Sequence, residues 1–94
     1  MAKKTFDIKY EATAVKQLKK LDKPTRLIIK AWIEKNIIGT DNPRQHGKAL
    51  VGDKSGFWRY RIGDYRLIVE IRDNECVVVA ISVAHRREVY ANKK

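Results

Sequence analysis

Hydrophobic and polar residues alternate most regularly between Phe57 and Arg72, FWRYRIGDYRLIVEIR, where two short runs meet at Gly63-Asp64. A Gly-Asp dipeptide between alternating runs is a hairpin signal. Successive side chains of a strand point to opposite faces of the sheet. The first run therefore sets Trp58, Tyr60 and Ile62 on one face and Arg59 and Arg61 on the other. The second groups Tyr65, Leu67, Val69 and Ile71, leaving Arg66, Ile68, Glu70 and Arg72 opposite. With the apolar sets turned to one core, Arg59, Arg61 and Arg66 emerge together on the other side.

The same pattern places the remaining elements. Thr5 to Tyr10 alternates Phe6, Ile8 and Tyr10 against Thr5, Asp7 and Lys9, a half-exposed first strand. Glu11 to Leu21 carries Ala14, Val15, Leu18 and Leu21 at helical spacing. Asp22 or Lys23 caps a second helix, with Pro24 in its first turn, where a missing N–H costs nothing. That helix runs to Asn36 or Ile38, with Gly39 as its C-cap. Its stripe is Leu27, Ile28, Ala31 and Trp32, broadened by Ile29, Ile33 and Ile37, a face wide enough to lie on a sheet. Thr40 to Gly56 is irregular, with Ala49-Leu50-Val51 tucking in. Its bases, Arg44, His46, Lys48 and Lys54, either flank a groove or are simply solvated, and each alone is better read as solvated. After a tight turn at Asp73-Asn74, Glu75 to Ala84 forms a last strand. Val77, Val79, Ile81 and Val83 share one face, and Cys76, Val78, Ala80, Ser82 and Ala84 the other. A strand apolar on both sides is central in its sheet. Continuing the phase brings Arg86 to the arginine face, beside small residues that leave room for a ligand.

The order strand, helix, helix, three strands predicts an α+β fold, β-α-α-β-β-β, with an antiparallel helix pair on one face of a mainly antiparallel sheet. The 94 residues suit one domain spanning 1–94. Where the first strand joins the sheet is not fixed by the pattern. No apolar run approaches the roughly 18 residues of a membrane span, and MAKKTFDIKYE lacks the apolar core of a secretory signal. No membrane partner is expected. The lone Cys76 forms no intrachain disulfide and reads as a small buried hydrophobe, in keeping with a cytoplasmic location.

Charge sharpens this picture. Twenty-one Lys and Arg against 11 Asp and Glu give a net charge of +10. An excess of that size in a small domain favours a polyanionic partner. Two histidines and one cysteine at no ligand spacing make no metal site, and there is no phosphate-binding Gly-rich loop, so neither metal nor cofactor is expected. What stands out is Arg59, Arg61, Arg66 and Arg86 on one face, with His85 beside them and Tyr90 just beyond. Arginine offers a permanently charged fork to phosphate oxygens, and tyrosine stacks on a base or gives a proton. RNA cleavage by an adjacent 2′-hydroxyl needs such a set: a base for the hydroxyl, cations for the phosphorane, an acid for the leaving 5′-oxygen.

The segments GFWRYRIGDYRLIVEI and ISVAHRREVY, with the preceding HGKALVG and the element order, closely resemble the RelE branch of the RelE/ParE toxin superfamily. The resemblance covers most of the chain and is sharpest from Gly47 to Tyr90. It implies a toxin that enters the ribosomal A site, against 16S rRNA, and cuts translated mRNA to a 2′,3′-cyclic phosphate and a 5′-hydroxyl. It also implies a RelB-like antitoxin, and operator DNA bound only through the toxin–antitoxin complex. Carried over by motif, Arg59 and Arg61 stand where members have two lysines that bind phosphate and are candidates for the base. Arg66 matches a phosphate-stabilising arginine, Arg86 an acid or transition-state clamp, and Tyr90 a nucleotide-stacking tyrosine. Lys48, Lys54 and Arg87 are expected to contact RNA without taking part in chemistry. The departure is arginine for lysine at 59 and 61, because a group with a pKa above about 12 is a poor base at neutral pH. His85 takes part in proton transfer only if the last strand ends or bulges by Ala84. Arg66 has a competing role, pairing with Glu70 or another carboxylate. Trp32, Trp58, Tyr60 and Tyr65 read as core. The alternative function is that of the ParE branch, which shares the fold, poisons DNA gyrase and is no nuclease. A further alternative is a basic face that binds RNA without cutting it.

Overall fold

A computed structural model describes residues 4–52 and 56–85. Strand β1 (Asp7–Tyr10) leads into helix α1 (Ala12–Lys19) and helix α2 (Lys23–Asn36). The short β2 (Lys48–Ala49), then β3 (Trp58–Ile62), β4 (Tyr65–Arg72) and β5 (Val77–His85) complete a five-stranded sheet in the order β1-β5-β4-β3-β2. β1 joins as the parallel neighbour of β5, and the other pairings are antiparallel. β5 is therefore flanked on both sides, as its two-sided apolar character predicts.

Both helices lie on the face that carries Tyr60, Ile62, Leu67, Val69, Val78, Ala80 and Val83. α2 starts as its sequence dictates, with Asp22 at the N-cap, its carboxylate accepting from the Thr25 hydroxyl at 2.6 Å, and Pro24 in the first turn. It buries Ile29 and Ile33, and Ile37 beyond its end, at i, i+4 and i+8. The expected stripe is thus rotated. Leu27 and Ile28 are 53% and 62% exposed, and Ala31 also faces water. Ala49-Leu50-Val51 does not tuck in either: Ala49 belongs to the edge strand and Val51 is 84% exposed.

The β3–β4 hairpin turns where expected. Gly63 takes φ +59 while Asp64 stays out of the left-handed region, the arrangement of a II′ turn. β5 departs from strict alternation. Val69 pairs with Ala80 but Ile68 pairs with Ser82, so Ile81 is an extra residue, a β-bulge. A bulge reverses the phase on one side of it. Val78 and Ala80 therefore face the helices together with Val83, while Val77 and Val79 share the open face with Glu70 and Arg72. The expected grouping holds from Ser82 onward and is inverted before Ile81. Beyond the end of β1, Gln17 of α1 accepts from the Val83 N–H at 2.6 Å, so the helix side chain takes over from the missing strand neighbour. Cys76 is half-buried rather than buried. It takes φ +53 at the end of a 3₁₀ turn (Asp73–Glu75), and β5 starts only at Val77.

Candidate functional site

The register of the three outer strands brings the hairpin cations together. Arg61 lies directly opposite Arg66, and Lys48 directly opposite Arg59. Residues directly opposite share a face, with Cβ atoms about 5 Å apart, and like charges there are destabilising. Two like-charge pairs therefore sit side by side on the open face, away from the helices. Arg66 is only 9% exposed, whereas Arg61 and Lys48 reach water and Arg59 is half-buried.

Nearby cations are neutralised. Arg44 makes a two-pronged contact with Asp73, both nitrogen–oxygen distances being 2.9 Å. That hydrogen-bonded contact holds the Asp73 carboxyl below its ordinary range and raises the Arg44 guanidinium above its own. Arg72 binds Glu70 at 2.9 Å and lies 3.8 Å from Glu75, so Glu70, the carboxylate considered for Arg66, is engaged by Arg72. Among the described residues no ion pair reaches Lys48, Arg59 or Arg61.

At the sheet edge a cavity of about 360 Å³ is lined by Trp32, His46, Gly47, Lys48, Arg59 and Arg61. The loop before β2 forms one wall and is pinned to β3 from the helix side. Trp58 Nε1 donates to the His46 carbonyl at 2.7 Å, and the buried Tyr60 hydroxyl donates to the Pro43 carbonyl. Burial pushes the Tyr60 phenol up to about 12, against a smaller lowering by the Arg44 charge. Gly47 permits the close approach. It has φ +85, and a Cβ there would stand 2.3 Å from the Arg59 carbonyl oxygen and 2.7 Å from Trp58 Nε1. The His46 ring meets Trp32 edge-on, with centroids 5.8 Å apart, and Trp32 also packs against Tyr60 at 5.2 Å.

Of the residues singled out from the sequence, the structure unites Arg59, Arg61 and Lys48 in this cavity and sets Arg66 beside them. His85 is elsewhere. The bulge falls earlier, at Ile81, and β5 continues through His85, which pairs with Tyr65 on the helix face and meets its ring edge-on at 5.2 Å. The condition for its part in proton transfer is not met. Lys54, Arg86, Arg87 and Tyr90 lie outside the described residues. Sequence reasoning takes Trp32 for core and prefers a solvated His46 to a groove-flanking one, whereas both stand in the wall. The available signal was Gly47, a turn residue set between two bases, His46 and Lys48, at the start of an edge strand.

Permanent cations, a tryptophan and an imidazole around a cavity suit a phosphodiester and one base. The same residues occur in a chain with clear relatives. Toxin RelG of Mycobacterium tuberculosis is 31% identical over 87 residues, which is 90% of this chain and 95% of RelG. The fold superposes on the toxin–antitoxin complex RelBE2 from Mycobacterium tuberculosis with a TM-score of 0.79 and 27% identity, over 87% of this chain and 92% of that one. It superposes on the isolated Escherichia coli RelE toxin with a TM-score of 0.69 and 25% identity, over 93% of each chain. The ParE toxin family of type II toxin–antitoxin systems, parDE, matches residues 8–90. By that match, and by its likeness to RelG and RelE, the chain belongs to the ParE toxin family of type II systems, within the RelE/ParE toxin superfamily.

Proposed function

We propose that this toxin is a cytoplasmic, ribosome-dependent endoribonuclease that cuts translated mRNA in the A site through attack of a 2′-hydroxyl on its own phosphodiester. The observation that carries the reading is the register that sets Lys48 opposite Arg59 and Arg61 opposite Arg66 on one face of adjoining strands. An mRNA phosphate relieves that repulsion and is held by it. In this reading Arg59 and Arg61 grip the scissile phosphate, and Arg66, fixed by burial, stabilises the charge of the phosphorane. Lys48, Lys54 and Arg87 contact the RNA and rRNA backbone. Arg86 acts as acid or clamp and Tyr90 stacks on the nucleotide. The test is a cell-free translation reaction with mRNA ends mapped. Cuts confined to translated codons, absent on naked RNA and lost in Arg86→Ala and Tyr90→Ala, support the reading. Cutting of naked RNA, or no cutting, refutes it. Docking that uses about six phosphate contacts weakens roughly a thousandfold between 50 and 200 mM salt.

The description of the matching family, ParE, favours a second reading, inhibition of DNA gyrase by protein contact. Failure of supercoiling without mRNA cuts decides for it. In either case the partner is a RelB-like antitoxin, and operator DNA is met only through that complex. An apolar groove between α1, α2 and β1 supports such a partner. Tyr10, Val15, Leu18 and Leu27 line it, and Lys19, Arg26 and Lys30 rim it with positive charge. It suits an antitoxin segment that is apolar on one side and acidic on the other. Leu27→Asp is expected to weaken neutralisation while leaving toxicity intact.

A further inference from the structure

We propose that His46 is the proton acceptor for the 2′-hydroxyl, a part the sequence resemblance assigned to the positions of Arg59 and Arg61. The inference rests on the endoribonuclease reading above. The reaction needs a group that is neutral near pH 7 and able to take a proton within reach of the phosphate-binding cations. A guanidinium is a permanent cation and makes a poor proton acceptor. Lys48 is a third cation. Tyr60 has its hydroxyl turned to the Pro43 carbonyl, away from the open face. His85 stands on the helix face against Tyr65. Among the described residues that line the cavity, His46 alone carries an imidazole, the side chain used most often to take up and release a proton in general acid–base catalysis.

Its placement is built rather than incidental. The His46 carbonyl is fixed by Trp58 Nε1, Gly47 lets the loop lie against β3, and the ring edge rests on Trp32. Gln45 Nε2 lies 3.4 Å from His46 Nε2, a long, exposed contact that the 2′-hydroxyl displaces when that nitrogen takes the proton. Among the described residues, the charged ones that line the cavity with His46 are Lys48 from β2 and Arg59 and Arg61 from β3, while α2 contributes the uncharged Trp32. In the proposed step the 2′-hydroxyl proton passes to the imidazole as the 2′-oxygen–phosphorus bond forms. The phosphorus–5′-oxygen bond breaks with its electron pair on the 5′-oxygen, which takes a proton from water. The products are a 2′,3′-cyclic phosphate and a 5′-hydroxyl, and the imidazolium returns its proton to solvent.

The experiment measures single-turnover mRNA cleavage on programmed ribosomes between pH 5.5 and 8.5, for the wild type, His46→Gln and His85→Gln. Thermal unfolding of each variant checks that it is folded. The expected result is a wild-type rate that climbs with pH and levels off. His46→Gln should lose about a hundredfold or more and lose the inflection, while His85→Gln keeps both rate and profile. A folded His46→Gln with the wild-type rate, or with a reduced rate on an unchanged profile, overturns the inference and leaves the endoribonuclease reading standing. No cleavage by the wild type overturns both.

Discussion

Arg61→Gln is expected to make this protein more stable while it impairs the toxin. Arg61 and Arg66 are directly opposite on β3 and β4, and Arg66 is 9% exposed. Two unit charges about 6 Å apart repel by about 0.7 kcal/mol in bulk water and about 2.8 kcal/mol at an effective dielectric constant of 20. Arg61 reaches solvent, and Arg66 is buried and engages a further group, so the real value lies toward the lower end, about 0.5–1 kcal/mol. Glutamine keeps the length and polarity of the side chain and removes the charge. Urea unfolding at low salt should therefore show a gain of about 0.5–1 kcal/mol, or about 2–6 °C in Tm. The gain should shrink near 1 M salt, where the screening length falls from about 10 Å to about 3 Å. Cleavage on ribosomes should fall in the same variant. A loss of 1 kcal/mol or more, or a difference that salt does not touch, would refute the claim that the cationic face is under electrostatic strain.

Gly47→Ala should cost about 2–3 kcal/mol in urea unfolding, because alanine is strained at φ +85 and its Cβ would meet the Arg59 carbonyl oxygen at 2.3 Å. A neutral result would mean that the loop is not held against β3. Tyr60 sets an alkaline limit. Its folded-state pKa of about 12 exceeds the ordinary value of 10.0, so its contribution is complete well below pH 10 and lost as pH rises to 12, about 3 kcal/mol in all. Unfolding measured from pH 7 to 11.5 should show that slope in the wild type and not in Tyr60→Phe. Asp73→Asn should cost about 0.5–1 kcal/mol, since the two-pronged contact with Arg44 is exposed. The Asp73 carboxyl is held low, so this contribution is present above about pH 4 and lost as pH falls further. A double-mutant cycle with Arg44→Ala that returns no coupling would discount the pair.

The fold was legible wherever periodicity was strong and local. The β3–β4 hairpin could be read because Gly63-Asp64 fixes its register, and register decides which side chains share a face. Arg59, Arg61 and Arg66 followed from that register alone. The inverted half of β5 was illegible because a bulge adds one residue without changing composition. In a run of valines and alanines nothing in the sequence marks Ile81 as the extra one. The rotated stripe of α2 has a similar cause. Leu27, Ile28, Ile29, Ala31, Trp32 and Ile33 are apolar nearly all round, so the core face is chosen by the sheet it meets and not by the helix. The contact of His46 with Trp32 was not foreseen because it joins a loop to a helix. Tertiary bonds hold that loop in place, among them those from Trp58 and Tyr60 and the Arg44–Asp73 contact.

Placing the site at the sheet edge answers two problems with one set of residues. An edge strand invites pairing with other chains, and natural sheets discourage this with very short, lysine-bearing edges. β2 has only two residues, one of them Lys48, and the next strand carries Arg59 and Arg61. Repulsion among these side chains keeps another protein edge away, and for the same reason it is discharged by a polyanion. The cost of gathering like charges is borne by the free protein and recovered on binding. A phosphate-rich ligand should thus raise the apparent stability with its concentration, by RT ln(1 + [L]/Kd). It should do so less for Arg61→Gln, which has less repulsion left to relieve.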